Sequence, residues 1–455
     1  MSRRARVFLI AAAVALAGCA VPAPPQSAAQ RADALMRDLV QRDLFQGAVV
    51  MGRSGQIEYA AGFGLADIQQ QLPFTPDTPT DGASMAKTFT AAALLMLVNE
   101  GRIDIETPVR DILPQYPHAK TRVRHLLAHS AGLFDCDWLD ARVTPGESRS
   151  NSNHLALVAR DAAVPNFTPG TAFSYDNVAY DVAAMVLERS TGSSYAEIIA
   201  ERFSRPLGLA AFVRPARFTD WQGPRTRGYR RAAEGWKDHD AHDLEGFHGG
   251  ANIYLSARDL YRWAAGMPGV VGAATGRAAL APARAGDGRS TGIALGSWYV
   301  STDGKRRYYT GSHNGFFCFG YADDARRIAI AWVSTDAPPS WLQPSLSRAL
   351  IAVAEGRAPE PLVAPPAADP ALDPSGTYRV SEVGDVAVRR EGAQLRLGLR
   401  GVEYQGFPVA RGVYYVPGLD AHLRFASTPQ GQVTLAWDSV FVVVPSAARL
   451  GPGPD

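Results

Sequence analysis

Ser84 and Lys87 lie three positions apart at the start of the most apolar helical segment of the chain, residues 88–99. Residues i and i+3 share a helix face, with Cβ atoms about 5–6 Å apart, so we predict that these two side chains stack. A serine hydroxyl becomes a nucleophile when a base takes its proton, and a lysine among apolar residues can be that base. The spacing alone is a weak signal, since a serine helix cap followed by a surface lysine would share it.

A second motif follows 91 residues after Ser84, where Tyr175-Asp-Asn177 precedes an amphipathic helical pattern over 178–188. Together with Ser-x-x-Lys, it resembles the serine β-lactamase and penicillin-binding-protein superfamily. The most similar branch is that of the class C β-lactamase-like serine hydrolases, which include D,D-peptidases, D-aminopeptidases and esterases. The stretches 125–133 (HLLAHSAGL), 249–251 (GGA) and 256–260 (SARDL) are also typical of this branch. The resemblance covers roughly residues 31–355.

The family also implies a Lys-Thr-Gly or His-x-Gly motif on an edge strand beside the serine. Two segments compete for this place, His313-Asn314-Gly315 and Tyr309-Thr310-Gly311. We favour His313, because a ring N–H can fill the polar role and Tyr309 is a poorer substitute for a cation. The sequence departs slightly from the branch, which often has a second glycine where Phe316 stands.

The resemblance implies a role for each motif residue. Ser84 attacks a carbonyl carbon, neutral Lys87 takes its proton, and Tyr175 relays a proton to the leaving group. Asn177 hydrogen-bonds Lys87 or a substrate amide, and the backbone N–H groups of Ser84 and Phe316 hold the oxyanion. We expect no metal and no organic cofactor.

The sequence indicates the nucleophile more clearly than it indicates the class of substrate. We predict an acyl-enzyme hydrolase acting on an ester, peptide or amide, of the esterase or D-amino-acid peptidase type. A β-lactamase and a non-catalytic cell-envelope binding protein are the alternatives. Because histidine has a reference pKa of about 6.5, His313 would attract the β-lactam carboxylate poorly at neutral pH, so we expect weak β-lactam hydrolysis.

The N-terminus has the features of an exported protein. Arg3, Arg4 and Arg6 precede an apolar run over 7–17 that is too short to span a bilayer but suits a signal peptide. The segment 16–19 (LAGC) resembles a bacterial lipobox, which implies a signal peptide of residues 1–18 and lipidation of Cys19. Ala20 then suggests a lipoprotein of the outer membrane facing the periplasm. An ordinary signal peptide with a chance cysteine is the alternative.

The composition limits the classes of partner and of fold that we expect. The 455 residues are 46% hydrophobic and 20% charged, with a formal net charge of +2, which gives no reason to expect a nucleic-acid partner. We therefore expect a small-molecule or peptide substrate as the partner, with the membrane contacted only through the lipid. Three cysteines exclude a disulfide scaffold, and we expect Cys136 and Cys318 to be buried thiols rather than a pair.

The fold class expected is α/β, with an antiparallel sheet flanked by helices, a helical lobe and a small all-β C-terminal domain. We predict a tether over 19–30, a hydrolase domain over 31–357, a linker over 358–374 with six prolines, and a β domain over 375–447.

Several polar groups are interpreted as structural. A loop at the cleft mouth is favoured over a metal site for the cluster His239, Asp240, His242, Asp243, Glu245 and His248, which lacks a zinc-binding motif. We expect His125 and His129 to satisfy backbone groups, and the segment 150–153 (SNSN) to be a loop.

Overall fold

A computed structural model describes residues 26–134, 142–143, 150–215, 220–221, 225–232, 235–240, 247–284, 290–336, 338–364 and 371–451. The predicted signal peptide, Cys19 and Cys136 lie outside these residues. In the described part of the chain, no helix is both long and apolar enough to cross a bilayer.

Eleven α-helices are described. They are α1 (Ala28–Gln41), α2 (Ala86–Asn99), α3 (Val109–Ile112), α4 (Val123–Leu127), α5 (Asn151–Asp161), α6 (Val178–Thr191), α7 (Tyr195–Ile199), α8 (Arg205–Leu207), α9 (Ala257–Val270), α10 (Ala273–Leu280) and α11 (Leu342–Ala354). A π-helical turn, Ala200–Ser204, joins α7 to α8. Helix α1 begins inside the predicted tether, because Ser27 and Gln30 form a capping box that starts the helix at Ala28.

The strands of the first part of the chain are β1 (Gly47–Arg53), β2 (Gln56–Phe63), β3 (Leu65–Asp67), β4 (Leu72–Pro73), β5 (Thr80–Asp81), β6 (Phe212–Val213), β7 (Tyr229–Ala232), β8 (Gly235–Asp238), β9 (Ile253–Leu255), β10 (Pro282–Arg284), β11 (Ser290–Ala294), β12 (Tyr299–Val300), β13 (Arg306–His313), β14 (Phe316–Asp323) and β15 (Ile328–Ser334). Six of them form one sheet in the order β12-β13-β14-β15-β1-β2, and all neighbours are antiparallel. Every residue of β14 and β15 is buried, so both faces of the sheet are covered at these strands.

Helix α2 is the centre of the helical part. Eleven of its residues are buried, which explains why the segment is apolar on all faces. Phe89 stacks on Trp263 of α9 with ring centroids 4.0 Å apart. The start of α2 is therefore fixed by packing on several sides.

The C-terminal residues form a closed barrel of eight strands: β16 (Gly376–Val380), β17 (Gly384–Glu391), β18 (Gln394–Leu399), β19 (Val402–Ala410), β20 (Val413–Val416), β21 (Ala421–Ser427), β22 (Val433–Asp438) and β23 (Val443–Gly451). The expected fold class is thus confirmed. The last strand extends to Gly451, four residues past the predicted end of the β domain, because it pairs with both β22 and β16 to close the barrel.

Candidate active site

Ser84 lies in a single 3-10 turn, Ala83–Met85, immediately before α2. Ala83 adopts a left-handed conformation, with φ of 45°, and its backbone N–H donates to Oδ1 of Asp81 over 2.8 Å. The carboxylate of Asp81, at the end of β5, thereby fixes the turn that presents Ser84.

Lys87 is fully buried one turn later, and its Nζ has three neighbours. Nζ lies 3.1 Å from Oγ of Ser84, 2.6 Å from Oδ1 of Asn177 and 2.8 Å from the carbonyl oxygen of Gly250. All three neighbours are oxygen atoms at hydrogen-bond distance, so they fix the position of Nζ beside Oγ of Ser84.

The hydroxyl of Tyr175 donates to Oγ of Ser84 over 2.8 Å. Behind it, the ring of His129 stacks on Tyr175 with centroids 4.5 Å apart. Burial, and then the proximity of Lys87, hold the pKa of His129 well below its ordinary value, so this histidine is a neutral support. Its Nδ1 accepts from the backbone N–H of Asp176, and Nδ1 of His125 accepts from that of Arg122, which confirms the structural role expected for both histidines.

Asn177 is the residue before α6, so the start of that helix sets its position against Lys87. Oδ1 of Asp176 accepts from the backbone N–H of Ala179 and caps the first turn. The structure thus brings Ser84, Lys87, Tyr175 and Asn177 together.

The segment favoured for the third motif is instead a hairpin turn. Asn314 and Gly315 have φ of 38° and 85°, and His313 and Phe316 pair on either side of them. This is the geometry of a two-residue Asn-Gly hairpin, in which the flanking residues exchange backbone hydrogen bonds. The N–H of Phe316 is therefore used by the turn, and the described wall of the Ser84 cavity contains Ser312 but not His313, Gly315 or Phe316.

The competing segment, Tyr309-Thr310-Gly311, lies against the nucleophile. A Cβ on Gly311 would be 2.3 Å from the carbonyl oxygen of Gly82 and 3.1 Å from the backbone nitrogen of Met85. Only glycine permits this approach between β13 and the turn that carries Ser84.

The register of β13 also selects a backbone donor. The backbone N–H and C=O groups of His313 and Gly311 point toward β14. Because these directions alternate along a strand, the backbone groups of Ser312 and Thr310 point to the opposite edge of β13. Ser312 and Thr310 line the cavity that contains Ser84. The Thr-Gly pair at 310–311 lies four residues before the Asn-Gly pair at 314–315, and Asn-Gly is a typical hairpin signal. This difference could have shown that the second pair marks the turn and the first pair the strand.

Tyr309 is the first residue of this competing segment. Burial, and then the nearby Tyr175 and Tyr299, raise the pKa of Tyr309 well above its ordinary value, so the phenol is neutral. The segment therefore presents an uncharged hydroxyl at its first position.

The cavity in front of Ser84 has a volume of about 610 Å³ and is shared by both parts of the protein. Tyr175, Tyr309 and Thr310 line it from the first part of the chain. The barrel contributes Tyr415, Asp420 and His422, together with Val409, Ala410, Pro417 and Val440. No motif in the sequence marks these barrel residues, because they reach the site from another domain.

The polar groups that the sequence did not assign to catalysis mostly have structural partners. Asp240 pairs with Arg225 over 2.5 Å, whereas His242, Asp243 and Glu245 lie outside the described residues. Across the residues with a described placement, no three potential ligands converge as around a metal ion. The segment 150–153 is not a loop as expected: Ser150 caps α5 and the residues after it begin that helix, with Asn151 donating to the carbonyls of Asp181 and His248. Cys318 is a buried thiol, as expected.

Ser84 thus lies in the turn before α2, beside an antiparallel sheet, with the buried Lys87 and the hydroxyl of Tyr175 at hydrogen-bond distance. The Beta-lactamase family model matches residues 32–355, so the chain belongs to this family.

Curated relatives include Penicillin-binding protein 4* of Bacillus subtilis (strain 168), 28% identical over 38% of this chain and 39% of that protein. D-aminopeptidase of Gluconobacter oxydans (strain 621H) is 30% identical over 48% of this chain and 41% of that protein. The matches thus span about two fifths of the relatives' length.

Solved structures share the fold. The octameric penicillin-binding protein homologue from Pyrococcus abyssi superposes with a TM-score of 0.61 at 19% identity, covering 92% of this chain and 98% of that one. D-amino acid amidase from Ochrobactrum anthropi SV3 gives a TM-score of 0.54 at 20% identity, covering 67% and 90%.

Proposed function

We propose that this protein hydrolyses amide or peptide bonds next to a D-amino acid through an acyl-enzyme on Ser84. The observation that carries the proposal is the position of Oγ of Ser84, 3.1 Å from Nζ of Lys87 and 2.8 Å from the hydroxyl of Tyr175. The similarity to a D-aminopeptidase supports the substrate class.

In the first half-reaction, Oγ of Ser84 forms a bond to the carbonyl carbon as its proton passes to Lys87. The C–N bond then breaks, and the leaving amine takes a proton through the hydroxyl of Tyr175. In the second half, water attacks the ester, gives a proton to the same relay and releases the acid, which restores Ser84. Asn177 holds Nζ of Lys87 during both steps.

The developing oxyanion needs two donors aimed at one point. We assign them to the backbone N–H groups of Ser84 and Ser312. The close approach of Gly311 to the turn of Ser84, and the outward direction of the Ser312 N–H, support this assignment in place of Phe316.

The proposal is tested with a fluorophosphonate probe and D-alanyl amides. Wild type should be labelled once, on Ser84, and should release amine from D-alanyl but not L-alanyl substrates. Ser84→Ala should abolish both signals while the circular dichroism spectrum stays unchanged, and Ser340→Ala, at another serine of the cavity wall, is the matched control. Labelling of Ser84→Ala at a second serine, or a preference for L-alanyl substrates, would contradict the proposal.

For location, we propose an outer-membrane lipoprotein anchored through Cys19 and facing the periplasm. The lipobox-like segment 16–19 and the residue Ala20 support it. Cys19→Ser should move the protein from the membrane fraction to a precursor or soluble form, because a multiply acylated cysteine anchors firmly. Wild-type protein that is wholly soluble and lacks acyl mass on Cys19 would refute the anchor.

A further inference from the structure

Asn151 belongs to the segment 150–153 that we expected to be a loop, but it is the buried first residue of α5. Its side chain bridges two other segments of the chain. Nδ2 donates to the carbonyl oxygen of Asp181 over 3.1 Å and to that of His248 over 2.9 Å. Oδ1 accepts from the backbone N–H of His248 over 2.9 Å. The amide thus uses both of its N–H donors and its oxygen to join the two segments.

Each of the two segments supplies one of the carbonyl oxygens around Lys87. Asp181 lies in the first turn of α6, and Asn177, the residue before that helix, accepts from Nζ of Lys87 through Oδ1 over 2.6 Å. His248 lies two residues before Gly250, whose carbonyl oxygen accepts from the same Nζ over 2.8 Å. The Asn151 side chain therefore joins the two elements that supply these acceptors.

Gly249 and Gly250 pack directly on α6. A Cβ on Gly249 would lie 2.1 Å from the carbonyl oxygen of Tyr180, and one on Gly250 would lie 3.1 Å from that of Asn177. The carbonyl oxygen of Gly249 also accepts from Oγ1 of Thr90, on the helix that carries the lysine. The two glycines are thus held between α2 and α6, and a third helix, α5, fixes the residue that precedes them through its first side chain.

We infer that Asn151 is a positioning residue: it holds the carbonyl oxygen of Gly250 and the start of α6 where they keep Nζ of Lys87 beside Oγ of Ser84. This rests on the proposed acyl-enzyme function and adds to it a residue that lies outside the described cavity wall. A misplacement of about 1 Å costs on the order of 100-fold in rate, so a residue that fixes the acceptors of the base controls turnover. The same hydrogen bonds also stabilise the fold, and the test therefore needs a readout that depends on Lys87.

The test is Asn151→Ala, measured by hydrolysis of 4-nitrophenyl acetate and a D-alanyl amide and by the rate of fluorophosphonate labelling of Ser84. We expect kcat and the labelling rate to fall on the order of 100-fold, because the base is misplaced. KM should stay within about threefold of wild type, since the cavity wall is unchanged. Asn153→Ala, two positions further along α5, is the control matched in residue type and should keep wild-type kinetics.

A double-mutant cycle with Lys87→Met separates positioning from a general effect on structure. In the Lys87→Met background no amine is left to misplace, so adding Asn151→Ala should change the labelling rate by less than about threefold. A purely structural role would instead lower the rate by the same factor in both backgrounds. That result, or a folded Asn151→Ala with kcat within about threefold of wild type, would overturn the inference.

A second variant is needed because leaving buried backbone groups without partners can prevent Asn151→Ala from folding. Asn151→Ser keeps a hydroxyl that can pair with one of these backbone groups. With a wild-type circular dichroism spectrum, it should lose about tenfold in kcat and in labelling rate, and again no more than about threefold in the Lys87→Met background. Wild-type kinetics of folded Asn151→Ser, or the same loss in both backgrounds, would contradict the inference.

The two proposals fail in different ways. If wild type is labelled on Ser84 and turns over its substrates, but the folded Asn151 variants keep wild-type kinetics, the positioning role is refuted while the hydrolase remains. If wild type is neither labelled nor active on these substrates, both are refuted.

Discussion

Replacing Gly311 by alanine tests the geometry of the site most directly. The added Cβ would lie 2.3 Å from the carbonyl oxygen of Gly82, whereas ordinary contacts begin at 3.4 Å, so the strand and the Ser84 turn must separate by about 1 Å. Gly311 does not have a positive φ in the described backbone, so alanine adds steric conflict without conformational strain. The predicted oxyanion donors Ser84 and Ser312 would move apart.

A misplacement of about 1 Å costs on the order of 100-fold in rate, and losing one oxyanion donor costs about 10²–10³-fold, which is about 2.7–4 kcal/mol of transition-state stabilisation. We therefore expect kcat/KM of Gly311→Ala to fall about 100-fold or more, with a smaller effect on KM than on kcat. The measurement is steady-state hydrolysis of 4-nitrophenyl acetate and a D-alanyl amide, together with the rate of fluorophosphonate labelling.

Gly398→Ala is the matched control, because this strand glycine of the barrel would place its Cβ 3.6 Å from Cβ of Ala387, an ordinary contact. It should keep wild-type kinetics, and both variants should keep the wild-type circular dichroism spectrum. Folded Gly311→Ala with kcat/KM within about threefold of wild type would refute the close approach and the oxyanion assignment that depends on it.

Three further substitutions examine the remaining assignments. Lys87→Met nearly keeps the side-chain volume and should remove most turnover, since Ser84 loses its proton acceptor; a folded variant with near-normal kcat would exclude Lys87 as the base. Tyr175→Phe removes the 2.8 Å hydrogen bond to Ser84 and should lower kcat about 10²–10⁴-fold, read from the same substrates, and an unchanged kcat would remove Tyr175 from the relay. His313→Gln should leave kcat/KM of the folded enzyme within about threefold of wild type, because His313 is outside the described cavity wall. A loss of about 100-fold or more in a folded variant would instead support the histidine as the third motif.

Local sequence patterns predicted the positions of the residues around Ser84. Ser84 and Lys87 are one helical turn apart, so their contact follows from helix geometry once α2 is identified. Tyr175 and Asn177 are 91 and 93 residues from Ser84 along the chain, and the family pattern alone indicated that they meet it. The third motif was assigned to the wrong segment, because both His-Asn-Gly and Tyr-Thr-Gly can match it as letters and the histidine was the better substitute for a cation. The difference is one of register: the first is a hairpin turn with two positive φ angles, and the second is the strand edge that Gly311 allows to approach Ser84.

The sequence by itself determined the fold class and the presence of an all-β C-terminal part, and it predicted the nucleophile and the base, because each depends on residue types at short, regular spacing. The tertiary structure decided which strand edge faces Ser84, that Tyr309 lines the cavity in front of it, and that Asp420 enters the cavity from the barrel. These features depend on contacts between residues as far apart as Thr310 and Asp420, which are set by the packing of whole elements. No local sequence pattern encodes such a contact. Hydrophobic surfaces hold the barrel against the sheet, and the residues that the barrel thereby brings into the site belong to no motif.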